Sequence, residues 1–248
     1  PPKWRRRAIA DAIFYLVRSG CAWRMLPQEF PPWQTVFSQF RRWRLDGTLL
    51  AAHERLREQV RLAAGREVEP SAAIIDSQTV KCTSVGGPER GYDGAKRMKG
   101  RKRHVLVDAT GLLLLVCVHA ADLHDRVGGQ RLIGTEPAAV LPRLECVWGD
   151  GAYTGTFARW LLETRGWRME VPRHPDTQLW RYGLKEKPQN KFIVLPRRWI
   201  VERTFAWLGQ SRRLNKDYER LPKTSETMIY TAMCRLMLRR LAPALVTT

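Results

Sequence analysis

Acidic residues are scarce in this chain. It has 24 Asp and Glu against 43 Lys and Arg, a formal net charge of +19 and a pI near 10.5. So strong an imbalance disfavours a cationic partner and favours a polyanion, because each phosphate neutralised by Lys or Arg releases condensed counterions. Nucleic acid is the first candidate and an anionic membrane surface its rival. Long apolar runs are also missing. The longest, "GLLLLVCVHAA", is too short to span a bilayer and reads as a buried strand. The five cysteines (Cys21, Cys82, Cys117, Cys146, Cys234) form no C-x-x-C pair and no tight Cys/His spacing. That speaks against a structural zinc site and for reduced thiols in the core. No signal peptide is visible, so the default location is cytoplasmic, although the chain opens at "PPKW" without a methionine. Internal repeats and low-complexity tracts are absent as well.

Two kinds of periodicity are present. From Lys3 to Ser19 the residues Ile9, Ala12, Ile13, Leu16 and Val17 recur at helical spacing. A second helix carries Trp33, Val36, Phe37, Phe40 and Trp43, and a third carries Leu49, Ala52, Leu56, Val60 and Ala63 up to Gly65. Residues 1–66 thus read as a small all-helical domain, with Arg41, Arg42 and Arg44 clustered near the end of its second helix. Such a cluster suits phosphate contact, and equally the negative end of a helix dipole on a solvated face.

The period changes at Glu69-Pro70, and residues 70–248 read as an α/β domain with a mixed sheet. "SAAIIDSQTV" is a short apolar run ending in an acid. "RKRHVLVDATG" and "LLLLVCVHAAD" flank a turn as a hairpin does, "LECVWGDGAY" is another strand ending in an acid, and "WRMEVPR" is a fifth strand. Helices fit between the third and fourth strands and in "TGTFARWLLETRG". A polar segment at about 174–196 leads to a helix carrying Glu202, and "SETMIYTAMCRLMLRRLA" forms a last helix closed by Pro243.

Three acids stand out. Asp76 and Asp150 each follow a strongly apolar run, at the rim of the core, where paired carboxylates suit hard divalent cations. Taken singly, either is as well explained as a turn former or helix cap. Glu202 sits among Arg and Trp, at the edge of a face formed by Ile200, Val201, Thr204, Phe205 and Leu208. Its ordinary reading is an i,i+4 pair with Arg198, but the acid lies C-terminal to the base, the weaker order, and exposed pairs of this kind contribute only about 0.3–0.5 kcal/mol. A cation shared with the two aspartates accounts for Glu202 better. His119, Asp122, His124 and Asp125 look superficially like a second metal cluster, but strand alternation turns His119 away and Asp125 suits the start of the next helix. Tyr153 and Trp148 flank Asp150 and could stack on an unpaired base, with core packing the better reading of Trp148.

The segments "IIDSQTVK", "GRKRHVLVDATGLLL", "HAADLHDR", "WGDGAYTG" and "LPRRWIVERTFAWLGQSRRLNKDYE" together resemble DDE transposases of bacterial insertion sequences. "SGCAWRMLPQEFPPWQTVFSQFRRWRLDG" resembles the helical domain that precedes the catalytic core in the insertion-sequence-five-like group. The resemblance covers nearly the whole chain. It implies a ribonuclease H-like, mixed five-stranded sheet flanked by helices, with two magnesium ions (manganese able to substitute) held by Asp76, Asp150 and Glu202, Asp76 bridging the two. The implied activity is cleavage at insertion-sequence ends and joining of the freed 3′-hydroxyl to target DNA. The implied partners are double-stranded DNA, both terminal inverted repeats and target, and a second copy of the chain on that DNA, in the nucleoid of a bacterial cell. Two rivals share the motifs: an endonuclease of the same fold that cuts without joining, and a non-catalytic DNA-binding derivative. The wider superfamily carries Tyr-x2-Arg-x3-Glu-x6-Lys around its glutamate. Here Arg198 and Glu202 match, whereas Leu195 and Gly209 replace the Tyr and Lys, with Arg212, Arg213 or Lys216 as substitutes. Arg198 and Arg203 are then expected near the scissile phosphate, and the tract from Lys96 to His104, with Arg101, Lys102 and Arg103, along the duplex.

Overall fold

The computed structural model describes residues 4–85, 87–134, 141–171 and 198–246. The polar segment expected at about 174–196 lies outside them. Three helices come first: α1 (Arg6–Ser19), α2 (Trp33–Leu45) and α3 (Thr48–Ala63). Helix α1 ends where Gly20 adopts φ 75° and its N–H reaches back to the Leu16 carbonyl, a left-handed cap that a residue with a Cβ rarely accepts. Among the described residues six strands and four more helices follow: β1 (Ala72–Lys81), β2 (Gly91–Asp93), β3 (Met98–Asp108), β4 (Leu113–Ala120), α4 (Asp125–Gly134), β5 (Cys146–Trp148), α5 (Thr156–Arg165), β6 (Arg168–Glu170), α6 (Arg198–Gly209) and α7 (Pro222–Val246).

The sheet is mixed. Strand β1 pairs antiparallel with β3, and β3 pairs antiparallel with β4 across the turn that begins at Asp108. On its other side β1 pairs parallel with β5, which pairs parallel with β6. The order β4-β3-β1-β5-β6 is the ribonuclease H-like arrangement. The five expected strands are all present, and short β2 adds a sixth on the edge of β3. Strand β1 does not stop at Asp76. Its antiparallel partner β3 continues, and the β-prone "SQTV" pairs with it as far as Lys81. Helix α7 starts at Pro222, a residue suited to the first helical position, and its backbone runs past Pro243 to Val246.

Side chains alternate across the sheet. Ile74, Val105, Val107 and Val118 join a core with α1, α2, α3, α6 and α7 on one face. Ala73, Ile75, Leu106 and Cys117 join a second core with α4 and α5 on the other. The N-terminal helices therefore share one apolar core with the sheet. A buried ion pair between Arg61 of α3 and Asp108 at the end of β3 reinforces the junction. All five cysteines are free thiols. No helix among the described residues is long and apolar enough to cross a membrane.

Candidate active site

The register of β1 on β5 sets the site. Their last parallel pair is Ile74 with Trp148, and Asp76 and Asp150 each lie two residues beyond it. Two residues restore the same face, so both carboxylates stand level on neighbouring strands where β5 leaves the sheet, on the side that carries Ile74. That side is covered by α6. Ile200, Val201, Thr204 and Leu208 of α6 are buried against it, and Glu202, although exposed, reaches the same cleft. The cleft encloses about 470 Å³ and is lined by Asp76, Asp93, Asp125, Asp150, Glu202 and Lys102 among others.

Local hydrogen bonds shape its walls. One Asp76 carboxylate oxygen accepts from the Ser77 N–H at 2.7 Å, and Asp150 accepts from the Ala152 N–H at 2.9 Å, capping the short turn Gly151–Tyr153. Asp150 is thus the turn cap that its sequence context allowed and a cleft residue as well. Asp93 accepts from Thr79 Oγ1 (2.6 Å) and the Lys96 N–H (3.1 Å). Asp125, in the first turn of α4, accepts from Ser77 Oγ (2.9 Å) and Lys102 Nζ (3.0 Å). Burial acts to raise the Asp125 pKa, but the Lys102 and Ser77 hydrogen bonds prevail and leave it below the usual carboxylate value. Asp93 and Asp125 were not singled out as cleft residues by sequence. Only the hairpin pairing and the start of α4 bring them there.

Hard oxygen donors in this number suit a divalent cation in chemistry. In their present positions, no three His, Cys, Asp or Glu side chains among the described residues are arranged to hold one ion. That includes the group around His119, which is turned away.

His119 belongs instead to a buried hydrogen-bonded chain beneath the cleft, on the opposite face of the sheet. The Ala120 carbonyl can only accept, so His119 Nδ1, 2.9 Å away, carries a proton and its Nε2 accepts from His104 Nδ1 at 2.8 Å. His104 Nε2 then accepts from the Tyr153 hydroxyl at 2.8 Å. Burial, with His119 and Lys102 nearby, lowers the His104 pKa to about 3, so the ring is neutral. Burial, and then Asp76, Asp125 and Asp150, push the Tyr153 phenol well above its usual value, so it keeps its proton. With 1% exposure Tyr153 cannot stack on a base. Trp148 packs against the core and donates from Nε1 to Glu170 at 2.8 Å.

The expected phosphate contacts divide into two groups. Arg101 is fully buried, bonded to Asp217 and to the carbonyls of Pro88, Glu89, Glu219 and Arg220. Arg103 donates to the Leu214 and Lys216 carbonyls, and Arg213 to Glu219 and the Cys21 carbonyl. These three guanidiniums hold the loop from Leu214 to Arg220 and the α1 end onto the fold. All three are buried, Arg101 and Arg103 because strand alternation turns them under that loop and Arg213 because it lies in the short turn Arg212–Leu214. Arg203 lies over Trp199 and Trp207 (4.4 and 4.7 Å) and donates to the Thr110 carbonyl. Lys102 remains in the cleft, while Arg212, Arg41 and Arg42 are exposed. The Arg198 side chain lies outside the described residues.

The family described as "Transposase DDE domain" matches residues 67–237, more than half the chain, and "Putative transposase of IS4/5 family" matches residues 1–53. The chain belongs to the DDE transposases, in their IS4/5-like group. A "Putative transposase for insertion sequence element IS402" from Burkholderia cepacia is 29% identical over 154 residues, 59% of this chain and 65% of that protein. The chain thus aligns with just under two thirds of that relative. Among solved structures, the catalytic domain of Mos1 mariner transposase matches with a TM-score of 0.28 at 13% identity, over 79% of this chain and 91% of that one. The Mos1 strand transfer complex matches with a TM-score of 0.28 at 13% identity, over 98% and 79%. Likenesses this remote add nothing to the family assignment.

Proposed function

We propose that this DDE transposase cuts DNA at the ends of an insertion sequence and joins the freed 3′-hydroxyl to target DNA, with Asp76, Asp150 and Glu202 as its catalytic acids. The observation that carries the reading is the common register of Asp76 and Asp150 beneath the helix of Glu202, all three lining one cleft. The three carboxylates would hold divalent cations, magnesium or manganese, whose contribution when bound is to acidify a water and neutralise charge on the phosphodiester. The chain's own part is positional. Asp76 and Asp150 are fixed by the sheet and by backbone N–H groups, and Glu202 by the buried face of α6. Lys102, tethered by Asp125, adds positive charge beside the place where phosphate oxygens would lie. No covalent enzyme intermediate is required, because water and then the DNA hydroxyl act in turn at the same cleft. Two DNA ends imply a pair of chains on DNA, and the exposed Arg41 and Arg42 of α2 remain candidates for backbone contact.

The test uses labelled insertion-sequence end DNA, a target plasmid and Mg²⁺. Cleavage with joining is expected from the natural chain, and at least a thousand-fold loss, in order of magnitude, from Asp76→Asn, Asp150→Asn and Glu202→Gln, with DNA affinity retained. Cleavage without joining would assign an endonuclease, and retention without cleavage a binding protein. A fully active variant would remove its residue from the catalytic set.

A further inference from the structure

Helix α6 carries Glu202 into the cleft and ends at Gly209, after which Gln210 and Arg212 stand against the C-terminal end of α1. Between α1, this turn and α7 lies a second concave site of about 470 Å³, bordered by Tyr15, Arg18, Phe30, Arg212 and Arg235. Arg18 donates through Nη1 to the Gln210 carbonyl, which fixes one guanidinium at the rim. Burial and then the neighbouring Arg18 and Arg239 lower the Arg235 pKa from its usual value. Among the described residues no carboxylate forms an ion pair with Arg18, Arg212, Arg235 or Arg239, and Asp11 on the rim is already engaged by Arg7 Nε at 2.9 Å. Elsewhere Arg61, Arg101 and Arg213 each have their own acid, and buried Arg103 is held by two backbone carbonyls. Three arginines drawn from three elements thus border one concave site, with no carboxylate partner among the described residues.

We propose that this site binds a backbone phosphate of duplex DNA. Guanidiniums from α1, the α6–α7 turn and α7 contact the phosphate oxygens, and the Tyr15–Phe30 ring pair, with centroids 5.1 Å apart, walls the sugar side. Gln210 lies eight residues beyond Glu202, about 12 Å along a helix at roughly 1.5 Å per residue. That spacing lets one duplex reach both places, a few nucleotides apart along a strand. The proposal rests on the DNA-processing role above.

The full chain is titrated into a fluorescent duplex of arbitrary sequence, without divalent cations, and anisotropy is followed over a range of salt concentrations. Arg212→Ala and Arg235→Ala are each expected to weaken binding about five-fold near 0.15 M salt and to lower the slope of log K against log salt by about 0.9. Arg212→Lys and Arg235→Lys, which conserve the charge, are expected to keep the slope. Arg159→Ala, removing an exposed arginine of α5 on the far face of the sheet, changes affinity less than about two-fold. Alanine variants with an unchanged slope, or an Arg159 variant that loses as much, would overturn the assignment. Because binding is read without catalysis, absence of cleavage in the preceding assay leaves this result standing, and alanine variants with an unchanged slope leave the cleavage reading intact.

Discussion

The side chains at the centre of the molecule are ordered by what each hydrogen-bonding atom is able to do. An acceptor-only carbonyl at Ala120 fixes the proton of His119, which fixes that of His104, which leaves Tyr153 as the final donor. Tyr153 is three residues after Asp150, in the turn that Asp150 caps. The chain therefore ties the Asp150 turn to β3 and β4 through neutral groups and adds no cation beneath the acids. Tyr153→Phe removes a donor and strands His104 Nε2 in a buried site, a change worth about 1–3 kcal/mol. Urea denaturation should show that loss while DNA affinity stays unchanged, since Tyr153 faces no solvent. An unaltered denaturation midpoint would mean that the hydroxyl makes no net contribution.

Elements explain what could be read from the chain alone and what could not. Helices α1 to α3, the β3–β4 hairpin and the apolar strands were legible because their periodicities are local, and so was the buried face of α6. Asp76 and Asp150 were legible as acids after apolar runs, but their alignment depends on the parallel pairing of β1 with β5, which joins residues more than 70 positions apart. The interior role of Arg101 and Arg103 was hidden for the same reason. "RKR" looks like a surface charge run until the loop from Leu214 to Arg220 closes over it. Helix α4 shows such dependence most directly. An alanine Cβ at Gly128 would lie 2.5 Å from His104 Cε1 and 2.6 Å from His119 Nε2, so only glycine lets α4 pack on the histidine pair. Gly128→Ala must push α4 outward, taking Asp125 away from Ser77 and Lys102. A loss of about 1–3 kcal/mol is expected from overpacking despite alanine's better helix propensity, checked by thermal unfolding.

At the scale of the whole molecule, charge and burial set the conditions under which the fold holds. The N-terminal helices are not an appendage: α3 packs along α7, and His53 of α3 is 1% exposed, edge-on to Tyr230 at 4.8 Å between ring centroids. Among the described residues neither ring nitrogen of His53 has a hydrogen-bond partner, and burial, then the Arg57 charge, lowers its pKa to about 3. His104 is lowered to about 3 by burial and then His119, which outweigh the opposing pull of Asp125, with a smaller lowering from Lys102. Both imidazoles are neutral in the folded chain and take up a proton on unfolding once the pH falls below about 6.5. Their contribution to stability is complete above that value and is lost as the pH falls from about 6.5 towards 3, at about 1.4 kcal/mol per pH unit for each histidine. Urea titrations between pH 7 and 5.5 should therefore show stability falling with acid in a range where most carboxylates stay ionised. His53→Leu removes that residue's proton uptake, so the slope should drop by about 1.4 kcal/mol per pH unit while the part due to His104 and His119, whose pKa burial also lowers, remains. A slope unchanged by that substitution would show that His53 is protonated in the folded chain, and that α3 does not exclude water from its contact with α7.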